Sequence, residues 1–263
     1  PIERALPIVT ILTLSATGSE MDAGGVITNL ETQDKLGRMA APMLPKVSFL
    51  DPTLTYTVNP YQTACGAADM MSHILEVYFN LNEDLFMLDS MMEAMLKTIV
   101  KFAPVAIAEP ENYEARANLM WCSSWAINGF INGGRRKAWS CHPMEHELSA
   151  IYDIAHGHGL AILTPRWMEY CLEESNAHRY VSLGVNVFGI DPKGEPMAIA
   201  KECIERMREF MSVTLNLPYT FTEVGIKRED FATMARKACR YGAIRGFKTL
   251  EPQDVERIYE MCI

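Results

Sequence analysis

Four of the six histidines lie between residues 142 and 158: His142, His146, His156 and His158. Side chains at i and i+4 share one face of a helix. Two such pairs occur, Asp69 with His73 and His142 with His146. His156-Gly157-His158-Gly159 follows and reads as a tight glycine turn into another helix. A carboxylate with neutral imidazoles is a donor set for a borderline divalent metal. One Asp with three His suits Fe(II) or Zn(II) and leaves a position for a substrate oxygen. His142-Pro-Met-Glu145-His146 also fits His-x-x-Glu-His, the helix of a zinc metallopeptidase in which the glutamate is the base. That rival leaves Asp69, His73 and His156 without a role. A third possibility is a non-catalytic, metal-binding remnant. Ser15-Ala16-Thr17-Gly18-Ser19-Glu20 follows an apolar run. Its hydroxyls and backbone N–H groups can hold phosphate or ribose oxygens, although the same composition also makes plain turns.

These groups need elements to hold them. Before residue 58 the apolar runs are short and β-branched, at 8–13, 25–28 and 47–50, with Gly, Asp and Pro between them. The run at 8–13 does not alternate, which predicts a strand buried on both faces. After residue 58 the pattern is helical. Asn59-Pro60 is a helix start, an N-cap followed by a proline suited to the first turn. Helices are expected at about 61–79, 85–106, 112–128, 142–151, 157–171, 193–214, 228–240 and 252–262. In the second, Met91, Met95, Ile99 and Phe102 form a stripe read as core rather than a soft ligand site. Gly133-Gly134 breaks the pattern before the next segment.

The chain has 263 residues, 49% hydrophobic, with a net charge of −9. This excludes a disordered chain and a small disulfide scaffold. The longest basic run, Arg135-Arg136-Lys137, is too short for a dedicated nucleic-acid binder. No apolar run is long enough to span a membrane. Seven scattered cysteines without a Cys-x-x-Cys fit buried thiols in a reducing cytoplasm.

Thr17-Gly18-Ser19-Glu20, Asp51-Pro52, Gly66-x-x-Asp69-x-x-x-His73 and His142-x-x-x-His146 with His156-Gly157 occur in this order. Together they resemble the iron-containing (group III) alcohol dehydrogenases, in the branch of NAD(P)H-dependent butanol dehydrogenases and aldehyde reductases. The resemblance covers essentially the whole chain. It implies a mainly α fold, with residues 1–57 as the last strands of an α/β dinucleotide-binding domain and 58–263 as a helical metal-binding domain. It implies Asp69, His73, His142 and His156 as ligands of a divalent metal, Fe(II) first and Zn(II) as the alternative. It implies His146 as a proton relay beside the nicotinamide, and Thr13, Asp22, Lys35, Leu54 and Thr57 as contacts to NAD or NADP. The substrate expected is a short or medium aliphatic aldehyde or primary alcohol such as butanal or butanol. Trp121, Phe130, Trp139 and Tyr152 are candidate apolar walls. A homodimer is expected, with neither nucleic acid nor membrane as partner. The family's Gly-Gly-Gly-Ser-type pyrophosphate loop does not occur. The chain opens at Pro1, so the expectation is a fragment lacking roughly the first third of the family's length, more than one βαβ unit.

Overall fold

A computed structural model describes residues 2–80, 85–133 and 139–263. Gly134 and the basic run at 135–137 lie outside them. Strand β1 (Val9–Ile11) pairs in parallel with β4 (Val47–Phe49), and β2 (Gly24–Asn29) forms an antiparallel hairpin with β3 (Asp34–Met39). Nine α-helices follow among the described residues: α1 (Pro60–Tyr78), α2 (Phe86–Ala108), α3 (Tyr113–Ile127), α4 (Cys141–Tyr152), α5 (His156–Cys171), α6 (Ala177–Phe188), α7 (Pro196–Glu209), α8 (Phe231–Ala238) and α9 (Pro252–Glu260). The fold is mainly helical.

Helix α1 is the axis of the molecule. Asn59 Oδ1 accepts the Gln62 N–H at 2.8 Å, and Pro60 occupies the first turn. From Thr63 onward every residue of α1 is buried, because α2, α3 and α5 pack around it. Two close approaches make this possible. A Cβ on Gly66 would stand 2.3 Å from the Ser15 carbonyl, and one on Gly157 would stand 1.9 Å from the Cys65 carbonyl. Only glycine lets the loop after β1 and the start of α5 reach the α1 backbone.

Several expectations need correction. The run at 8–13 is not buried on both faces: Val9 and Ile11 point outward, because β1 has β4 as its one strand neighbour among the described residues. Strand β3 went unpredicted, since Asp34-Lys35-Leu36-Gly37-Arg38-Met39 has little β propensity and is held by pairing with β2. Helix α6 also went unpredicted, although Tyr180, Leu183 and Val187 form a buried stripe that ends at Gly189 in a left-handed conformation. The stripe on α2 is rotated by one residue, centred on Met92, Leu96, Ile99 and Ala103. The long helix expected to 214 starts at Pro196 and finishes in a π-helical turn, Phe210–Thr214. His156-Gly157-His158-Gly159 is not a turn. All four residues open α5, and the chain reverses earlier at Asp153, whose φ is 51°.

Candidate metal centre

Three separate pieces of chain converge beside α1. Asp69 and His73 lie one turn apart on that helix, His142 is in the first turn of α4, and His156 starts α5. Asp69 Oδ1 stands 3.7 Å from His73 Nε2, 3.9 Å from His142 Nε2 and 3.7 Å from His156 Nε2. Ligands about 2.1 Å from a tetrahedral zinc sit about 3.4 Å from one another, so these spacings are slightly wider than a closed cage. Ligand atoms of Asp69, His142 and His156 all lie within 4.8 Å of one another. The His73 and His142 rings stack, with centroids 4.8 Å apart.

The residues fit a cation. Asp69 Oδ1 and His142 Nε2 are buried without a hydrogen-bond partner among the described residues. Buried polar atoms left bare are costly, and a metal ion would satisfy both. The Nδ1 atoms of His142 and His156 are both occupied. His142 Nδ1 meets Glu76 Oε1 at 2.5 Å, and His156 Nδ1 meets Glu145 Oε2. Both rings therefore present Nε2 toward Asp69.

The protonation of His142 agrees with this. Burial, then the charges of His156 and His146, hold His142 well below its ordinary value. Burial pushes His146 down to about 4. Both rings are thus neutral near pH 7, the form that ligates or relays a proton. Burial also pulls His156 down, but Glu145 outweighs it and the net shift is upward. Burial pushes Glu76 up to about 8, against the pull of the N–H groups that surround it.

The centre opens into a cleft of about 600 Å³, lined by His73, His142, His146 and His156, by Thr17 and Ser19, and by the β2–β3 hairpin. His146 sits on its wall with its ring 5.5 Å from that of His156. Asp22 and Lys35 also line it, and Lys35 Nζ donates to Ser149 Oγ at 2.7 Å. Thr13, Leu54 and Thr57 are exposed and outside this lining. Of the four aromatic candidates the cleft takes only Trp139, set edge-on to His142 at 4.4 Å. Trp121 and Phe130 instead flank Trp125, and Tyr152 OH bonds Asp230. His158 faces elsewhere, between Tyr61 OH and the Pro218 carbonyl. His178 is exposed.

Sequence reasoning passed over Glu76, and it gave Glu145 a role only in the rival peptidase reading. Glu145 is fully buried and turned to His156, so it cannot hold an attacking water. Its neighbour His146 groups with Glu145 and His156 rather than with His142. The peptidase arrangement is therefore not built. Glu20 was read only as part of the loop motif, not as its anchor. Its buried carboxylate accepts from Ser124 Oγ and Ser123 Oγ on α3 and so anchors the Thr17–Ser19 loop at the cleft.

The family model described as "Fe-containing alcohol dehydrogenase family, C-terminal" matches residues 63–263, and "Iron-containing alcohol dehydrogenase" matches residues 1–52. The chain is 50% identical to NADH-dependent butanol dehydrogenase A of Clostridium acetobutylicum over 98% of this chain and 67% of the relative. It is 33% identical to the NADPH-dependent aldehyde reductase YqhD of Escherichia coli, over 92% of this chain and 62% of the relative. The crystal structure of NADH-dependent butanol dehydrogenase A from Thermotoga maritima superposes with a TM-score of 0.93 at 36% identity, covering 100% of this chain and 67% of that one. The chain thus spans about two thirds of the length of such relatives. It belongs to the iron-containing alcohol dehydrogenase family.

Proposed function

We propose that this chain carries the metal-dependent half of an oxidoreductase that moves a hydride between NAD(P)H and a short or medium aliphatic aldehyde, such as butanal. The observation that carries the reading is the convergence of three imidazole Nε2 atoms on one buried, otherwise bare carboxylate oxygen at 3.7–3.9 Å. The relatives named as butanol dehydrogenases and an aldehyde reductase support the substrate class.

Asp69, His73, His142 and His156 would hold the ion, Fe(II) in preference to Zn(II). When bound, it supplies Lewis-acid polarisation of a carbonyl oxygen. The chain's own residues do the rest. Trp139, Ile127, Val26 and Met39 give the cleft apolar walls that suit an alkyl chain and exclude water. The neutral His146 on the cleft wall is placed to pass a proton between the substrate oxygen and solvent. Thr17, Ser19, Asp22 and Lys35 line the side assigned to the cofactor. Thr13, Leu54 and Thr57, exposed beyond the cleft, are proposed to meet the cofactor outside it. The assignment of residues 1–57 to a dinucleotide-binding domain and 58–263 to a metal domain is part of the same proposal, as is a homodimer. No helix among the described residues is long and apolar enough to cross a membrane. The seven cysteines are all buried and unpaired, which supports a reducing, cytoplasmic setting.

The test is butanal-dependent oxidation of NADH and of NADPH, followed with and without Fe(II) or Zn(II). Oxidation that requires the metal is the expected result. Full activity in a chelated, metal-free sample would overturn the proposal.

A further inference from the structure

Two buried glutamates stand behind the centre, and neither is among its ligands. Glu76 is on α1, two turns beyond Asp69 and one beyond His73. Its carboxylate takes the backbone N–H groups of Ser140, of Cys141 at 3.0 Å and of His142 at 3.2 Å, and also the His142 ring at Nδ1. Those backbone groups are among the unsatisfied donors that open α4. One side chain thus caps the helix and grips the imidazole it carries. Glu145, fully buried on α4, grips His156 Nδ1 from the other side. Its place is kept by a glycine, because a Cβ on Gly159 would lie 2.8 Å from both Glu145 Cγ and Oε1.

We infer that Glu76 and Glu145 are positioning residues. Each holds one ligand histidine as the Nδ1–H form with Nε2 aimed at Asp69, and Gly159 is small so that Glu145 can do so. The inference rests on the metal reading proposed above. An imidazole whose far nitrogen donates to a carboxylate is fixed in tautomer and orientation and is a stronger base toward a metal. It also gives a use to the glutamate of the His-x-x-Glu-His string and to the second glycine of His-Gly-His-Gly. Chemistry across the cleft then depends on two carboxylates that never touch the substrate.

The experiment is a Co(II) titration of the 263-residue chain, wild type beside Glu76→Gln, Glu145→Gln and Gly159→Ala, with folding checked by circular dichroism. Metal-free melting is recorded for each variant. The wild type is expected to bind about one Co(II). The two glutamine variants are expected to bind about 10- to 100-fold more weakly, with a changed visible d–d spectrum. Gly159→Ala is expected to copy Glu145→Gln, since it displaces the same carboxylate without removing it. A merely structural role would lower metal-free melting and leave affinity and spectrum as in the wild type. That result in Glu145→Gln and Gly159→Ala overturns the assignment of Glu145, and in Glu76→Gln that of Glu76. If Glu76→Gln fails to fold, Glu145→Gln and Gly159→Ala decide the inference alone. A wild-type chain that takes up no Co(II) overturns the metal reading itself.

Discussion

Val9, Ile11, Val47 and Phe49 on the β1–β4 sheet are 49–62% exposed, whereas Met71, Ile74 and Leu75 of α1 are completely sealed. The two sets are equally apolar, so composition does not separate them. Their neighbours do. Helix α1 is packed by α2, α3 and α5, while the parallel pair β1–β4 has no further strand on either edge among the described residues and leaves Val9, Ile11, Val47 and Phe49 open. Parallel sheets are ordinarily covered on both faces. The helices therefore supply the stability and the proposed ligands, and the strand region supplies position. It leads the Thr17–Ser19 loop and the β2–β3 hairpin to the cleft.

Substitutions can break this contrast. The largest effect is expected where two backbones meet. Gly157→Ala puts a Cβ 1.9 Å from the Cys65 carbonyl and must push α5 from α1. Overpacking costs about 1–3 kcal/mol and more where backbone must move, so urea unfolding should show at least the upper figure, with metal binding lost as well. Next come truncations. Trp167→Ala, in the sealed helical core, should cost about 3–5 kcal/mol. Ile11→Ala, on the open sheet face, should fall within about 0.5 kcal/mol. Equal losses at the two sites would erase the distinction between the regions.

Acid should act on the helical half. His146 titrates at about 4 in the folded chain, against about 6.5 when unfolded. The unfolded chain thus binds the extra proton between these values. The stability concerned is complete above about 6.5 and is lost as the pH falls through about 4. His142 adds in the same direction, whereas His156 and Glu76, both raised, oppose it. In chelator, a melting series from pH 7 to 4 should slope downward, and His146→Gln should flatten it. The smallest effect is expected at the hairpin. Half-buried Asp34 ties β3 to Arg240 at 2.7 Å and to Lys237 at 3.3 Å. Ion pairs that solvent still reaches contribute little. Asp34→Ala should therefore leave the unfolding midpoint in place and show instead as faster amide exchange across β2–β3.

What could be read from sequence followed the range of the interaction. The pairs Asp69/His73 and His142/His146 are local, and helical spacing alone put each on one face. The start of α1 at Asn59-Pro60 was local too. Glu76 carried no such signal, because its partners on α4 lie 64 to 66 residues away. Gly157 and Gly159 were visible but misread, since a glycine needed for close packing looks like one needed for a turn. Strand β3 has poor intrinsic propensity and exists through its partner. The exposure of β1 was illegible for the same reason: a run of apolar residues records a demand for burial without saying which neighbours meet it.

Residues from α1, α4 and α5 are proposed to form one metal centre. The most direct test is metal content by inductively coupled plasma mass spectrometry for the wild type, Asp69→Ala, His142→Ala and His156→Ala, each loaded with Fe(II) or Zn(II) and desalted. About one ion per wild-type chain and none retained in any of the three variants is the expected result. Metal kept by Asp69→Ala and His156→Ala but lost from His142→Ala would place the site on residues 142–146 alone and contradict the proposal.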